Sequence, residues 1–128
     1  MLRKILAMRI IVVLLLLLLA FHILVVMQII PGDFVWGGQI EANSEQLINY
    51  EIFAAVITCL FLIISFYKIK LILENRKNSV NQVGLWLMLL FFLLGILGNL
   101  SSDITKEKLI FTPVTVLLSL FILRVIIK

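Results

Sequence analysis

Cys59 is the only cysteine in the chain, so an intrachain disulfide and a Cys-x-x-Cys redox pair are both excluded. One histidine, His22, beside one cysteine does not supply a usual metal-ligand set, and neither a metal nor a cofactor is expected. Charge is scarce as well: 14% of residues are Asp, Glu, Lys or Arg, against 63% hydrophobic. At a mean hydropathy of +1.23 over 128 residues, a soluble domain would hold far more apolar surface than its core could hide.

What is present instead is four long runs free of charge: Ile10 to Ile30, Ile52 to Tyr67, Val83 to Leu100 and Leu109 to Leu123. A helix needs roughly 20 residues to cross a hydrocarbon core of about 30 Å. The first and third runs suffice alone, and the second and fourth must borrow from their flanks. Lys68, Lys70 and Arg124 can lend their methylenes while the charge reaches outward. None of the runs alternates in polarity, which fits helices rather than barrel strands. The expectation is an all-α membrane protein, one transmembrane domain over 1–128. It is a four-transmembrane-helix bundle with helices near 5–30, 48–74, 82–100 and 104–127 and an outer loop over 31–47. The first run is too long for a signal-peptide core and ends in Gln28-Ile29-Ile30-Pro31-Gly32 rather than a small-x-small cleavage site, so it reads as a retained anchor.

The charges between the runs are sorted. Arg3, Lys4 and Arg9 precede the first, Lys68, Lys70, Arg76 and Lys77 follow the second, and Arg124 and Lys128 close the chain. These are nine of the eleven cations. The first connection has no Lys or Arg but carries Asp33, Glu41, Glu45 and Glu51, while the third offsets Lys106 and Lys108 with Asp103 and Glu107. Cations are retained on the cytoplasmic side of short loops, which places both termini in the cytoplasm and the acidic loop outside. The net charge of +4 is then a topology signal that also touches anionic headgroups. It points to the lipid bilayer as partner, and not to nucleic acid. A homo-oligomer or a membrane protein partner is compatible with it.

In lipid, helices associate through small residues and side-chain hydrogen bonds. Three stripes at helical spacing offer both: Glu51, Ala55, Thr58, Leu62 and Ser65; Gly84, Met88, Phe91, Gly95 and Gly98; and Lys108, Thr112, Thr115 and Ser119. They are expected to face one another. Their ionisable and amide members, with Asn99, cluster toward the outer ends. His22 stands about twelve residues from the cytoplasmic end of its run and is expected near mid-membrane, bonded to Thr58 or a backbone carbonyl, with no deep carboxylate beside it. Ser102, Asp103 or Thr105 can cap the fourth helix. A start near residue 104 makes Pro113 interior, where it is expected to bend the helix.

The outer loop is the most individual stretch. Pro31-Gly32 suits a tight turn, and Gly37-Gly38 permits a second bend or a close backbone approach. Trp36 either sits in the interfacial aromatic belt or folds with the glycines over the bundle mouth, beside Glu51 and Asn99. The candidate ligand-binding residues are Trp36, Gly37, Gly38, Glu41, Glu51, Asn99, Glu107 and Lys108.

On Trp36-Gly37-Gly38-Gln39-Ile40-Glu41, Glu51, Gly98-Asn99-Leu100 and Glu107-Lys108 to Pro113-Val114-Thr115, the chain resembles a family of small uncharacterised bacterial four-helix integral membrane proteins. The resemblance covers nearly the whole length. It implies a bacterial inner-membrane location and carries no activity with it. Three functions stay open. The first is a small binding or accessory protein whose outer polar cluster receives a ligand or partner. The second is an oligomeric small-solute transporter or channel subunit. Small multidrug transporters are similar in length and helix count but place a carboxylate in their first helix, where this chain has His22. The third is an intramembrane enzyme using Glu51 or Glu107 as acid or base.

Overall fold

The computed structural model describes residues 1–42 and 44–127. Lys128, counted above among the cytoplasmic cations, lies outside them. Four helices, α1 Leu2–Val26, α2 Glu45–Leu73, α3 Ser79–Leu100 and α4 Thr105–Ile126, are each long and apolar enough to cross a membrane.

The helix ends follow from local chemistry. Ser44 caps α2 by accepting the Leu47 N–H at 3.1 Å, and Asn78 caps α3 by accepting the Asn81 N–H at 2.9 Å. α4 has no side-chain bond at its own cap position, Ile104; Ser102 Oγ instead accepts the Ile104 N–H at 3.1 Å. With α4 beginning at Thr105, Pro113 is interior and leaves the Leu109 carbonyl without its helical donor, yet the helix continues to Ile126.

The apolar run of the first helix outlasts the helix itself. Gln28 adopts φ +59°, its N–H returning to Val25 and that of Ile29 to Leu24, each at 2.9 Å. This left-handed C-terminal motif stops α1 at Val26, four residues short of the expected end. Glycine prefers that conformation, so Gln28→Gly is expected to raise stability by about 1 kcal/mol, read as a higher unfolding midpoint in detergent.

The chain runs up, down, up and down. Lys4 Nζ reaches the Val125 carbonyl at 3.4 Å and Lys68 Nζ reaches Gln82 at 3.4 Å, which gathers both termini and the α2–α3 turn at one end, the terminal end. The α1–α2 and α3–α4 connections share the other, the loop end. α1 packs on α2 and α4, α3 packs on α4, and of these neighbouring pairs α2 and α3 meet least.

Two apolar clusters result. The larger fills the terminal half with Met8, Ile11 and Leu15 of α1, Leu62 of α2, Leu85, Met88 and Phe92 of α3, and Leu118 and Ile122 of α4. The smaller joins Val25, Val35 and Leu47 beneath the first loop.

The seam between α2 and α3 is a wedge. Near the terminal end Asn81 Nδ2 donates to the Ile64 carbonyl at 3.0 Å, and a Cβ on Gly84 would come within 3.2 Å of the Ile64 side chain. Further along, a Cβ on Gly95 would meet only Thr115 of α4, and one on Gly98 would meet nothing within 4 Å. This corrects the stripe expected on the third helix. Its buried face is Asn81, Leu85, Met88, Leu89 and Phe92, while Phe91 and Gly98 are exposed. Gly98 borders open space, whereas Gly84 meets α2 and Gly95 meets α4. On α2 the expected stripe is the buried one, through Glu51, Thr58, Leu62 and Ser65. On α4 Ser119 is buried, and Lys108, Thr112 and Thr115 are half-buried.

Candidate functional site

Pro31 stands in extended backbone and leads into two short 3-10 turns, Gly32–Phe34 and Trp36–Gly38. Trp36, Gly37 and Gly38 have φ of +58°, +66° and +68°, three consecutive left-handed residues. Glycine takes this conformation freely, but a side chain costs roughly 1–2 kcal/mol there. Trp36 is held against that cost. Its Nε1–H donates to Glu51 Oε1 at 2.8 Å, and its ring tilts against Tyr50 with centroids 5.3 Å apart. The next residue is tied to a different helix: the Gly37 N–H donates to Glu107 Oε2 at 3.0 Å, and the Ser102 hydroxyl donates to the same oxygen. Lys106 Nζ lies 4.8 Å from the Phe34 ring centre, a further link from α4 to the loop.

Glu51 is 1% exposed, which follows from the helix start. Because α2 begins at the Ser44 cap, Glu51 sits about two turns inside it rather than at its opening. His22 meets it there, Nδ1 to Oε2 at 2.6 Å. Two expectations for His22 are thereby overturned. Since α1 stops at Val26, His22 is about one turn from the loop end rather than at the middle of the helix. Its partner is a carboxylate, while the Thr58 hydroxyl donates to the Ala54 carbonyl of its own helix at 2.8 Å. Trp Nε1 is only a donor, so Glu51 Oε1 accepts, and the contact to His22 holds one proton between Nδ1 and Oε2. Among the described residues His22 Nε2 has no hydrogen-bond partner.

Between the two apolar clusters lies a cavity of about 420 Å³. Its roof is the Trp36–Gly37 backbone with Gln39, and its rim carries His22, Glu51, Asn99, Ser102 and Glu107. Its floor is aromatic. Phe61 meets Phe91 and Phe92 at ring separations of 5.2 and 5.6 Å, and Phe21 meets Phe111 at 4.8 Å on the opposite wall. Asn99 Nδ2 donates to Thr115 Oγ1 at 3.4 Å. No Lys or Arg is among the lining residues. Among the described residues no three His, Cys, Asp or Glu side chains gather to hold a metal ion.

Of the residues singled out from sequence, Trp36, Gly37, Glu51, Asn99 and Glu107 meet around this cavity. Gly38, Glu41 and Lys108 do not line it: Gly38 faces Ile104, Glu41 is exposed, and Lys108 is half-buried outside the wall. Sequence reasoning missed His22 as Glu51's partner, Ser102 as Glu107's, and the phenylalanine floor. Phenylalanines scattered through an apolar run give no signal of which ones face inward.

Toward the terminal end the cavity's polar lining stops at Thr58 and Thr115. The hydroxyls of Thr115 and Ser119 donate to carbonyls of their own helix, and Leu62, Leu118 and Ile122 close the bundle beyond them. Compared with protein families, curated proteins and solved structures, the chain matches none.

Proposed function

We propose that this chain is an integral membrane binding protein, one that holds a ligand in the cavity beneath the Trp36–Gly38 loop. The observation that carries this reading is the cavity itself. Its volume lies in the range of small-molecule sites, it is roofed by a loop tied to two buried carboxylates, and it keeps spare hydrogen-bonding capacity at His22 Nε2 and Asn99. Charge sorting supports cytoplasmic termini and an outer loop. The resemblance drawn from the Trp-Gly-Gly loop supports the bacterial inner membrane. Transport through one copy would need a path past Leu62, Leu118 and Ile122, which close the bundle toward the terminal end.

Gly98→Leu tests the reading. Gly98 lies within α3 and borders the cavity, with nothing within 4 Å of an added Cβ. Leucine there removes the glycine penalty of about 1 kcal/mol while filling the mouth. Native mass spectrometry of gently extracted protein is expected to show a retained small-molecule mass for the parent chain and none for the variant, with the unfolding midpoint unchanged or raised. A mass retained equally by both sinks the assignment to this cavity.

The His22–Glu51 contact favours one second reading. A carboxylate that fixes Nδ1 leaves Nε2 as the proton-transferring atom, the arrangement of a general base and its orienting partner. That reading requires a substrate atom within hydrogen-bond reach of Nε2, and a liganded structure with Nε2 unengaged would remove it.

A further inference from the structure

We infer that the ligand is a lipophilic cation, a protonated amine on an apolar body, which enters sideways between α2 and α3. The inference rests on the binding role proposed above and adds the class of ligand and its route.

Charge selects the head group. Two carboxylates, Glu51 and Glu107, line a cavity with no Lys or Arg in its wall. Trp36 Nε1–H, the Gly37 N–H and the Ser102 hydroxyl satisfy their hydrogen bonds but bring no charge. Only His22 can contribute a positive charge, and it is in contact with Glu51 alone. Glu107, 8% exposed, has no cationic partner among the described residues. A buried carboxylate without a counter-charge is unfavourable, and an ammonium group supplies one. An anionic head would meet two like charges.

The wall agrees with this choice. Phe21, Phe61, Phe91, Phe92, Phe111 and Trp36 surround the space, and aromatic faces attract a desolvated cation while packing against an apolar body. A site built for a phosphate would present cationic or backbone donors in place of these rings.

The wedge supplies the route. Phe91 and Gly98 both line the cavity and are exposed on α3, and a Cβ on Gly98 would meet nothing within 4 Å, from α2 or elsewhere. The opening therefore lies on the apolar flank of the bundle, where a hydrocarbon chain can remain outside while its head reaches the carboxylates.

The test uses one tail with three heads. Full-length protein in lipid nanodiscs, carrying Trp86→Phe so that Trp36 is the only indole, is titrated with dodecylamine, dodecanol or dodecanoate while Trp36 emission is followed. Trp86 is exposed on α3 and outside the cavity wall. Dodecylammonium is expected to give a saturable change at about tenfold lower concentration than dodecanol, the scale of one charge-assisted contact, and dodecanoate none. Glu107→Gln keeps an acceptor for Gly37 and Ser102, so it should hold the loop yet abolish the amine preference. Gly98→Leu should abolish saturation altogether. Dodecanol or dodecanoate matching the amine, or an unchanged preference in Glu107→Gln, overturns the cation assignment and leaves the cavity a binding site. No saturable response to any of the three overturns the inference, and with no retained mass in the extract the binding role falls with it.

Discussion

Glu51→Ala is expected to cost about 2–3 kcal/mol, the scale of leaving two partly buried polar groups without their shared partner. The loss has two parts. Trp36 Nε1–H and His22 Nδ1 both end on this carboxylate, at 2.8 and 2.6 Å, and each would be left without its partner. Trp36 is 41% exposed and the His22 side chain 14%, so each loss falls at the lower end of the roughly 1–3 kcal/mol of an orphaned buried polar group. Trp36 also keeps its left-handed backbone, now without the hydrogen bond that offset it. Glu51→Gln separates these effects from bulk. Its amide oxygen can still accept from Trp36 and its amide nitrogen can donate to neutral His22, so the expected cost is about 1 kcal/mol. Thermal unfolding in detergent should rank parent, Gln and Ala in that order. Trp36 emission should shift to the red only in the alanine variant. Equal midpoints for Gln and Ala would mean that the loop is held elsewhere.

Phe92→Ala is the second large effect, and its size depends on the solvent. Phe92 is 1% exposed, sits between the larger apolar cluster and the cavity, and meets Phe61 and Phe91 at 5.6 and 5.5 Å. In a water-soluble core such a truncation costs about 3–5 kcal/mol, part of it the return of the ring to water. Among helices in lipid the ring's alternative surroundings are hydrocarbon, so that part largely vanishes. What remains is the unfilled volume and the lost contacts, about 2–3 kcal/mol. The hole joins the existing cavity and deepens it toward Met88. Phe92→Leu should recover most of the loss, and Phe66→Ala, at a position 55% exposed, should cost almost nothing. A Phe92→Ala midpoint equal to that of Phe66→Ala would show that packing at this level does not limit stability.

Helix number and the rough course of each span were legible because charge-free length is a one-dimensional property. The stop at Val26 was not, because it is set by one left-handed residue, Gln28, inside a run that stays apolar to Ile30. That displacement carried His22 with it and hid its approach to Glu51. The entry to α2 was readable in principle: Ser44 is a good N-cap, but the charges Glu45 and Glu51 mask a helix that hydropathy begins only at Ile52. Small residues at helical spacing were read as a packing face, which holds on α2 and on α3 gives way at Gly98. Sequence cannot tell a glycine that admits a neighbouring helix, as Gly84 does, from one that admits empty space, as Gly98 does. Trp36, Gly37, Glu51, Asn99 and Glu107 stood out because polar or kinked positions are rare in so apolar a chain. Their mutual hydrogen bonds join residues up to 70 positions apart, which no local pattern encodes.

Entry through the flank at Gly98, as proposed, would also set the phase from which the cavity fills: the ligand would be drawn from the hydrocarbon, at a mole fraction among lipids that is itself set by partition from the surrounding water. Each added methylene strengthens partitioning by about 0.8 kcal/mol, and longer chains would fill the site from ever smaller aqueous doses without touching it more tightly. Diluting the same protein into more lipid would empty it.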